Sequence, residues 1–296
     1  MFDTLASAVA FGVVLASVIA IAAMGFTIQF GLTNVLNLSY GGIMTIGGFA
    51  AYLVTSHGLS AWYGLAVGAV AGAIVTLVVG RGIFAVYARR GARVFEMMMV
   101  TLGLGLVIDY GLQALSRNNI YEFTVLQSTP ISLGPIILTP TQVIIIGIGL
   151  ALFVGLEALL RLTKIGKALR AMAADPALAR ACGIRTRQIV VLTWLLSGAL
   201  CGLAGVVYII NSQSVGYTTG ELFLPLVIAA AILGGAGSPA GAVLASLLMG
   251  IVTQVVAAYG GSLYSTAAGF GVLVIVLLSR PSAVLTKQAN EELTLA

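Results

Sequence analysis

The sequence predicts an all-α fold, a polytopic transmembrane helical bundle of about eight or nine spans. Three observations predict it. Apolar residues make up 60% of the 296 residues and charged residues only 8%, where a soluble domain carries about 25% charged residues. Apolar runs of about 20 residues, the length that crosses a bilayer as a helix, recur along the chain. No polar interval exceeds roughly 30 residues, too short for a separate soluble domain. Finally, thirteen of the fourteen basic residues fall on one side once those runs are threaded through a membrane. The 37 glycines suit close helix packing in lipid. The net charge of +5 thus marks a membrane face rather than a nucleic-acid surface. The chain reads as one transmembrane domain, 1–296.

In chain order, the stretch from Met1 to Gly25 is apolar, with Asp3 its only charge. A signal peptide would open on a positive region, so this is read as a retained first span near 5–27. Further spans are expected near 35–56, 59–80, 94–115, 140–161, 189–210, 221–236, 239–258 and 262–279. The second and seventh carry glycine pairs, and the seventh is short. Each is either a full span or a broken or re-entrant one, which a membrane tolerates where protein or a water-filled cavity surrounds the exposed backbone. Arg81, Arg89, Arg90 and Arg93 precede the fourth span. Arg161, Lys164, Lys167, Arg170, Arg180, Arg185 and Arg187 follow the fifth, and Arg280 and Lys287 lie in the tail. Two and four spans separate these groups. Both counts are even, as a shared cytoplasmic side requires. Arg117 stands alone opposite. The N-terminus then faces outside, or inside if the second span is re-entrant. The main external loop, 116–140, holds Asn118, Asn119, Glu122 and three prolines. It is either a landing surface for an external partner or an ordinary loop. Gly41-Gly42 with Gly47 and Gly234-Gly235 with Gly241 form an echo of the kind an inverted repeat produces; glycine-rich spans also produce it by chance.

The longest basic stretch, 163–188, is predicted to be a cytoplasmic loop. Residues 167–174 are good helix formers. Asp175-Pro176 has the form of an N-cap with proline at the first helical position. Residues 177–182 give about two turns, and Gly183 suits the left-handed position that ends them. The result is a short, small-residue helix that a partner can grip.

Charges inside spans are the next candidates, because they are costly and functional by default. Glu96 lies three residues after Arg93 and Glu157 four before Arg161, so both can pair along their helices. Asp109 lies well inside the fourth span without such a partner. It is placed either on the pathway, meeting a solute ammonium group, or as a cap or interface residue. Gln29, Thr33, Asn34, Asn37 and Ser39 form one uncharged polar cluster, and residues 211–214 followed by Glu221 a second. They either line a water-filled path or hold helices together. The chain has no phosphate loop: Gly166-Lys167 is followed by Ala168. His57 is the only histidine, which excludes a multi-histidine metal site. Neither the spacing of Cys182 and Cys201 suggests a metal or disulfide, nor does a serine-nucleophile elbow occur. Transport remains, driven either by separate ATPase subunits pushing on the coupling loop or by ions. An ion-coupled secondary carrier of a small solute is the alternative, resting on Asp109.

Several stretches carry a family resemblance. Gly166-Lys167-Ala168-Leu169-Arg170-Ala171, then Ala174-Asp175, Ala179 and Gly183-Ile184, resembles the coupling-loop signature of permease subunits in branched-chain amino acid ABC importers. Asn37-Leu38-Ser39-Tyr40-Gly41 through Gly47-Gly48-Phe49 is similar to the family's second-span motif, and Ser197-Gly198-Ala199 through Ala204-Gly205 to the span after the loop. Leu233-Gly234-Gly235-Ala236-Gly237-Ser238-Pro239 with Gly241-Ala242 is similar to the late glycine motif. The resemblance runs from about 31 to 280. Two positions depart: the family usually has histidine or glutamine where Tyr40 stands and an acid where Gly42 stands. The resemblance implies a bacterial inner-membrane permease with two cytoplasmic ATP-binding subunits, a second homologous permease subunit and a periplasmic solute-binding protein. It implies no catalysis and no cofactor on this chain, ATP being bound by the partners. The solute would be a branched-chain or related amino acid or a similar small polar solute, since the superfamily also serves urea, short amides, sugars and nucleosides. Gly166, Lys167, Ala168, Arg170, Ala171, Asp175, Pro176, Ala179, Gly183 and Ile184 would form the ATPase-coupling surface. Asn34, Asn37, Ser39, Tyr40, Gly41, Gly42, Asp109, Gly234, Gly235 and Gly237 would lie along the translocation path.

Overall fold

The computed structural model describes residues 2–123, 131–133, 136–235 and 237–279. Helices appear at all nine predicted spans. They are α1 (Phe2–Thr33), α2 (Tyr40–Ser56), α3 (Ala61–Val78), α5 (Val94–Ser116), α6 (Pro140–Leu162), α9 (Thr186–Ser212), α10 (Thr219–Leu233), α11 (Pro239–Gly260) and α12 (Ser262–Ser279). A π-helical turn, Val79–Phe84, joins α3 to the short α4 (Ala85–Arg89). The coupling stretch forms α7 (Lys164–Ala174) and α8 (Pro176–Ala181). Among the described residues, six helices are long and apolar enough to cross a bilayer, so the chain is a multi-pass membrane protein. The full count of eight or nine does not follow from them, because α2 has 17 residues and α10 only 15.

The predicted second span starts late for a visible reason. Asn34 ends α1 with a left-handed φ of 51°. Residues 34–39 then run without helix along α5, where the Leu38 amide donates to Thr101 Oγ1 at 3.2 Å and Thr101 Oγ1 approaches the Leu36 carbonyl at 3.3 Å. This exposed backbone is tolerated because protein surrounds it. The all-α expectation also misses two small antiparallel pairings, β1 (Tyr121–Glu122) with β4 (Ser214–Val215) and β2 (Ile131–Leu133) with β3 (Ile136–Leu138). The first fastens the external loop to the end of α9. Residues 124–130, 134 and 135 of that loop lie outside the described residues.

The core is built around α1, α9, α11 and α3, crossing at bare glycines. A Cβ on Gly12 of α1 would stand 2.7 Å from Ile251 Cα, and one on Gly72 of α3 would stand 2.3 Å from the Gly198 carbonyl of α9. Backbones this close gain dispersion contacts, which drive helix association in lipid. By contrast α5 and α6 are peripheral: 17% of their most apolar windows is buried, against 61% in α9. Of the two expected charge pairs one forms, and in the other Glu96 takes the Arg93 backbone amide instead. Glu157 pairs with Arg161, and Glu96 Oε2 accepts from the Arg93 amide at 3.1 Å, capping α5.

The glycine echo does not map onto equivalent places. Gly41-Gly42 open α2, whereas Gly234-Gly235 lie just past the end of α10.

Candidate coupling surface and translocation path

The coupling loop follows the predicted grammar closely. Thr163 caps α7, its Oγ1 accepting from the Gly166 amide at 3.0 Å. Gly166 is there for space: a Cβ would stand 2.3 Å from the carbonyl oxygens of Leu159 and Leu160, so only glycine lets α7 fold back on α6. Leu169 and Met172 are buried, with Ala168 and Ala171 packed against the same core. Asp175 then caps α8, Oδ1 accepting from the amides of Ala177 at 2.8 Å and Leu178 at 3.0 Å. Pro176 follows at the first helical position. Gly183 ends the unit at φ +80°, and the Ile184 amide donates to the Ala179 carbonyl at 3.1 Å. Ala179 is buried and Ile184 packs on the core, while residues 173–178 and 180–183 are exposed. Lys167 and Arg170 also stand exposed. The outcome is a rigid ridge, anchored from below and open above. Sequence reasoning missed its most prominent apolar tip, Leu178, which is 62% exposed.

The predicted path residues separate into three groups. Asn34 is exposed at the end of α1. The late glycines form the tight turn between α10 and α11, with Gly235 and Gly237 at φ +91° and +82°. Thr27 of α1 holds that turn, accepting from the Gly237 amide at 3.1 Å. A cavity of about 350 Å³ lies between this turn and α7, with Gly237, Ser238 and Arg170 in its wall. These glycines therefore lie beside α7, at the opposite end of α10 from Gly220.

The third group is central. Asn37 Oδ1 accepts from Ser39 Oγ at 2.6 Å and from the Ser39 amide at 3.2 Å, shaping the segment ahead of α2. Tyr40 is placed differently from the expectation. It is 1% exposed, and its hydroxyl lies 3.1 Å from the Ala22 carbonyl of α1 and 3.3 Å from the Ser197 carbonyl of α9. Its ring also meets Phe26 edge-on. The side chain ties two core helices together. Gln29 acts similarly, accepting from Ser197 Oγ at 3.0 Å. The predicted glue role thus holds for part of the first polar cluster.

Gly41 and Gly42 have the opposite character. The first turns of α2 and α10 meet at Gly41 and Gly220. A Cβ on Gly220 would stand 2.0 Å from the Gly41 carbonyl oxygen, and one on Gly41 would stand 2.8 Å from that of Gly220. Thr45 Oγ1 accepts from the Gly220 amide at 2.9 Å and locks the junction. A Cβ on Gly42 would lie 3.2 Å from Asp109 Oδ1. Asp109 is 5% exposed, and its Oδ1 has no hydrogen-bond partner. Gly220 and Thr45 were not legible as site residues, since nothing local distinguishes them. Among the described residues, no group of three or more His, Cys, Asp or Glu side chains is arranged to hold a metal ion.

The chain is similar in sequence to known proteins. The chain is 27% identical over 298 residues to a high-affinity branched-chain amino acid transport system permease protein, BraD, of Pseudomonas aeruginosa, covering 95% of each chain. It is 29% identical over 264 residues to a probable branched-chain amino acid transport permease protein, LivH, of Methanocaldococcus jannaschii, covering 86% of this chain and 82% of that one. A ribose import permease protein, RbsC, of Escherichia coli matches at 27% identity over 258 residues, covering 84% and 77%. The family model described as branched-chain amino acid transport system, permease component, matches residues 8–278. With the coupling ridge and the two short helices inside that interval, the chain belongs to the branched-chain amino acid transport permease family.

Proposed function

We propose that this chain is a membrane subunit of an ATP-driven importer in a bacterial inner membrane, carrying branched-chain or closely related amino acids. ATP hydrolysis belongs to two cytoplasmic partner subunits. A second homologous permease subunit completes the pathway, and a periplasmic binding protein delivers the solute. The observation that carries this reading is the ridge of residues 173–183, exposed on top and fixed below to α6, α7 and α9. Nothing in an isolated ion-coupled carrier calls for such an element. Force on α8 passes through α7, which shares its cavity wall with the α10–α11 turn. From there α10, about 22 Å long at 1.5 Å per residue, reaches the junction with α2. The coupling surface comprises the predicted residues with Leu178 added, and the path runs by Gly41, Gly42 and Asp109.

The helix ends support a repeat in a different register from the glycine echo. A shift of 179 positions carries Asn34 onto Gln213, Tyr40 onto Thr219 and Gly41 onto Gly220. The members of each pair occupy equivalent places. The first pair ends a helix in the left-handed conformation, the second starts the next helix, and the third forms the two sides of the central contact. We read the two halves as inverted copies, α1–α2–α3 and α9–α10–α11, meeting at Gly41 and Gly220.

The deciding experiment is Gly183→Val in the assembled transporter. A β-branched residue at φ +80° carries a cost of roughly 1–2 kcal/mol or more and misdirects α8 without touching the core. ATP hydrolysis should persist while uptake collapses, with the protein still in the membrane. Normal uptake by this variant would sink the coupling role. Uptake that survives loss of the ATPase subunits but not Asp109→Asn would instead favour the ion-coupled carrier.

A further inference from the structure

Two acidic residues flank the central glycine pair. Asp109 Oδ1 sits 3.2 Å from the position a Gly42 Cβ would take, and Glu221 Cα lies 3.1 Å from that of Gly41. They come from different helices, α5 and α10, yet stand at one height. Asp109 is fifteen residues along α5 from Val94, about 22 Å. Glu221 opens α10, whose far end lies about 20 Å away at the same coupling end. Both are therefore deep within the membrane-spanning region, where a carboxylate is costly unless something compensates it.

The chain supplies only part of that compensation. The N-termini of α2 and α10 point their positive ends at this region and favour negative charge. No basic residue occurs in α1, α2, α5, α10, α11 or α12. Among the described residues, no ion pair joins either acid to a Lys or Arg. Asp109 is 95% buried by its 5% exposure, with Oδ1 unpartnered, whereas Glu221 is open to the outside of the chain. Neither acid is neutralised by a described base of this chain, and a cation seated between them would relieve both. A primary ammonium, with three donors and one positive charge, matches two carboxylates approached from an open side. Bare glycines at 41, 42 and 220 bring backbone and acids together without side chains to fill the space.

The geometry points to Asp109 and Glu221 as a binding subsite for the ammonium group of the solute, so that the permease itself selects amine-bearing solutes. This rests on the import reading above. Its test is ATP-driven uptake of radiolabelled leucine by the whole transporter in membrane vesicles, with Asp109→Asn and Glu221→Gln. Glu221 is exposed, so its amide leaves packing intact and keeps the test valid even if Asp109→Asn fails to fold. Each amide should lower uptake at least tenfold, Glu221→Asp should recover part of it, and recovery of the complete complex should be unchanged. Uptake within twofold of the unsubstituted protein for Glu221→Gln would overturn the subsite. So would loss of the second membrane subunit from the purified complex, which would make Glu221 an assembly contact. An unsubstituted complex that takes up no leucine on ATP would end the import reading together with this one; an active unsubstituted complex beside an unaffected Glu221→Gln ends this one alone.

Discussion

Replacing Gly220 with alanine attacks the junction of α2 and α10 at its tightest point. The new Cβ would lie 2.0 Å from the Gly41 carbonyl oxygen, 2.8 Å from Thr45 Oγ1 and 2.9 Å from the Gly41 carbonyl carbon. Backbone atoms cannot rotate away as a flexible side chain does. Reaching an ordinary contact of about 3.4 Å requires the helix ends to part by about 1.4 Å. That movement lengthens the 2.9 Å bond from the Gly220 amide to Thr45 Oγ1 beyond hydrogen-bonding range. Overpacking costs about 1–3 kcal/mol, and a buried amide left unpaired costs about 1–3 kcal/mol more. Alanine's better helix propensity returns only about 1 kcal/mol. The expected net loss is therefore about 1–5 kcal/mol. Denaturation of the purified protein by SDS, followed by circular dichroism, should show it as a clear shift in midpoint. Gly111→Ala is the control: a Cβ there meets nothing within 4 Å, so its midpoint should hold or rise slightly. If Gly220→Ala unfolds with the control, α2 and α10 do not meet in the close contact described, and the reasoning from it is refuted.

Two further substitutions separate structure from coupling. Asp175→Ala removes two capping bonds and should destabilise α8 by about 1 kcal/mol; Asp175→Asn keeps an acceptor and should largely restore function. Uptake per ATP hydrolysed in vesicles reads this out, and equal coupling ratios for the alanine and asparagine variants would rule out the cap as the reason for Asp175. Tyr40→Phe loses one buried hydroxyl interaction, roughly 0.5–1.5 kcal/mol, and should leave the KM for uptake unchanged because the ring faces the core. A raised KM at unchanged expression would return Tyr40 to the path.

The coupling loop was legible because its structure is local. Asp175 caps the next two amides, Pro176 starts a turn and Gly183 stops it, so each residue announces its role within a few positions of itself. Span positions were legible for a similar reason: lipid demands about 20 apolar residues in a row, which a sequence displays directly. The centre was not. That Gly41 meets Gly220, that Thr45 accepts from the Gly220 amide, and that Tyr40 reaches both Ala22 and Ser197 are facts about residues up to 179 positions apart. The same composition, small and polar beside glycine, fits either a water-filled path or a glued interface. Only the partners decide, and here they divide a single motif. Tyr40 turns into the core, while its neighbours Gly41 and Gly42 face α10 and Asp109. A motif that builds a helix start inside a membrane must do both. One side chain anchors the turn to the scaffold, and the next positions stay bare so that backbone and charge can approach. The glycines at 41 and 42 and the acid at 109 are then one device, in which missing side chains on one helix make room for a carboxylate from another.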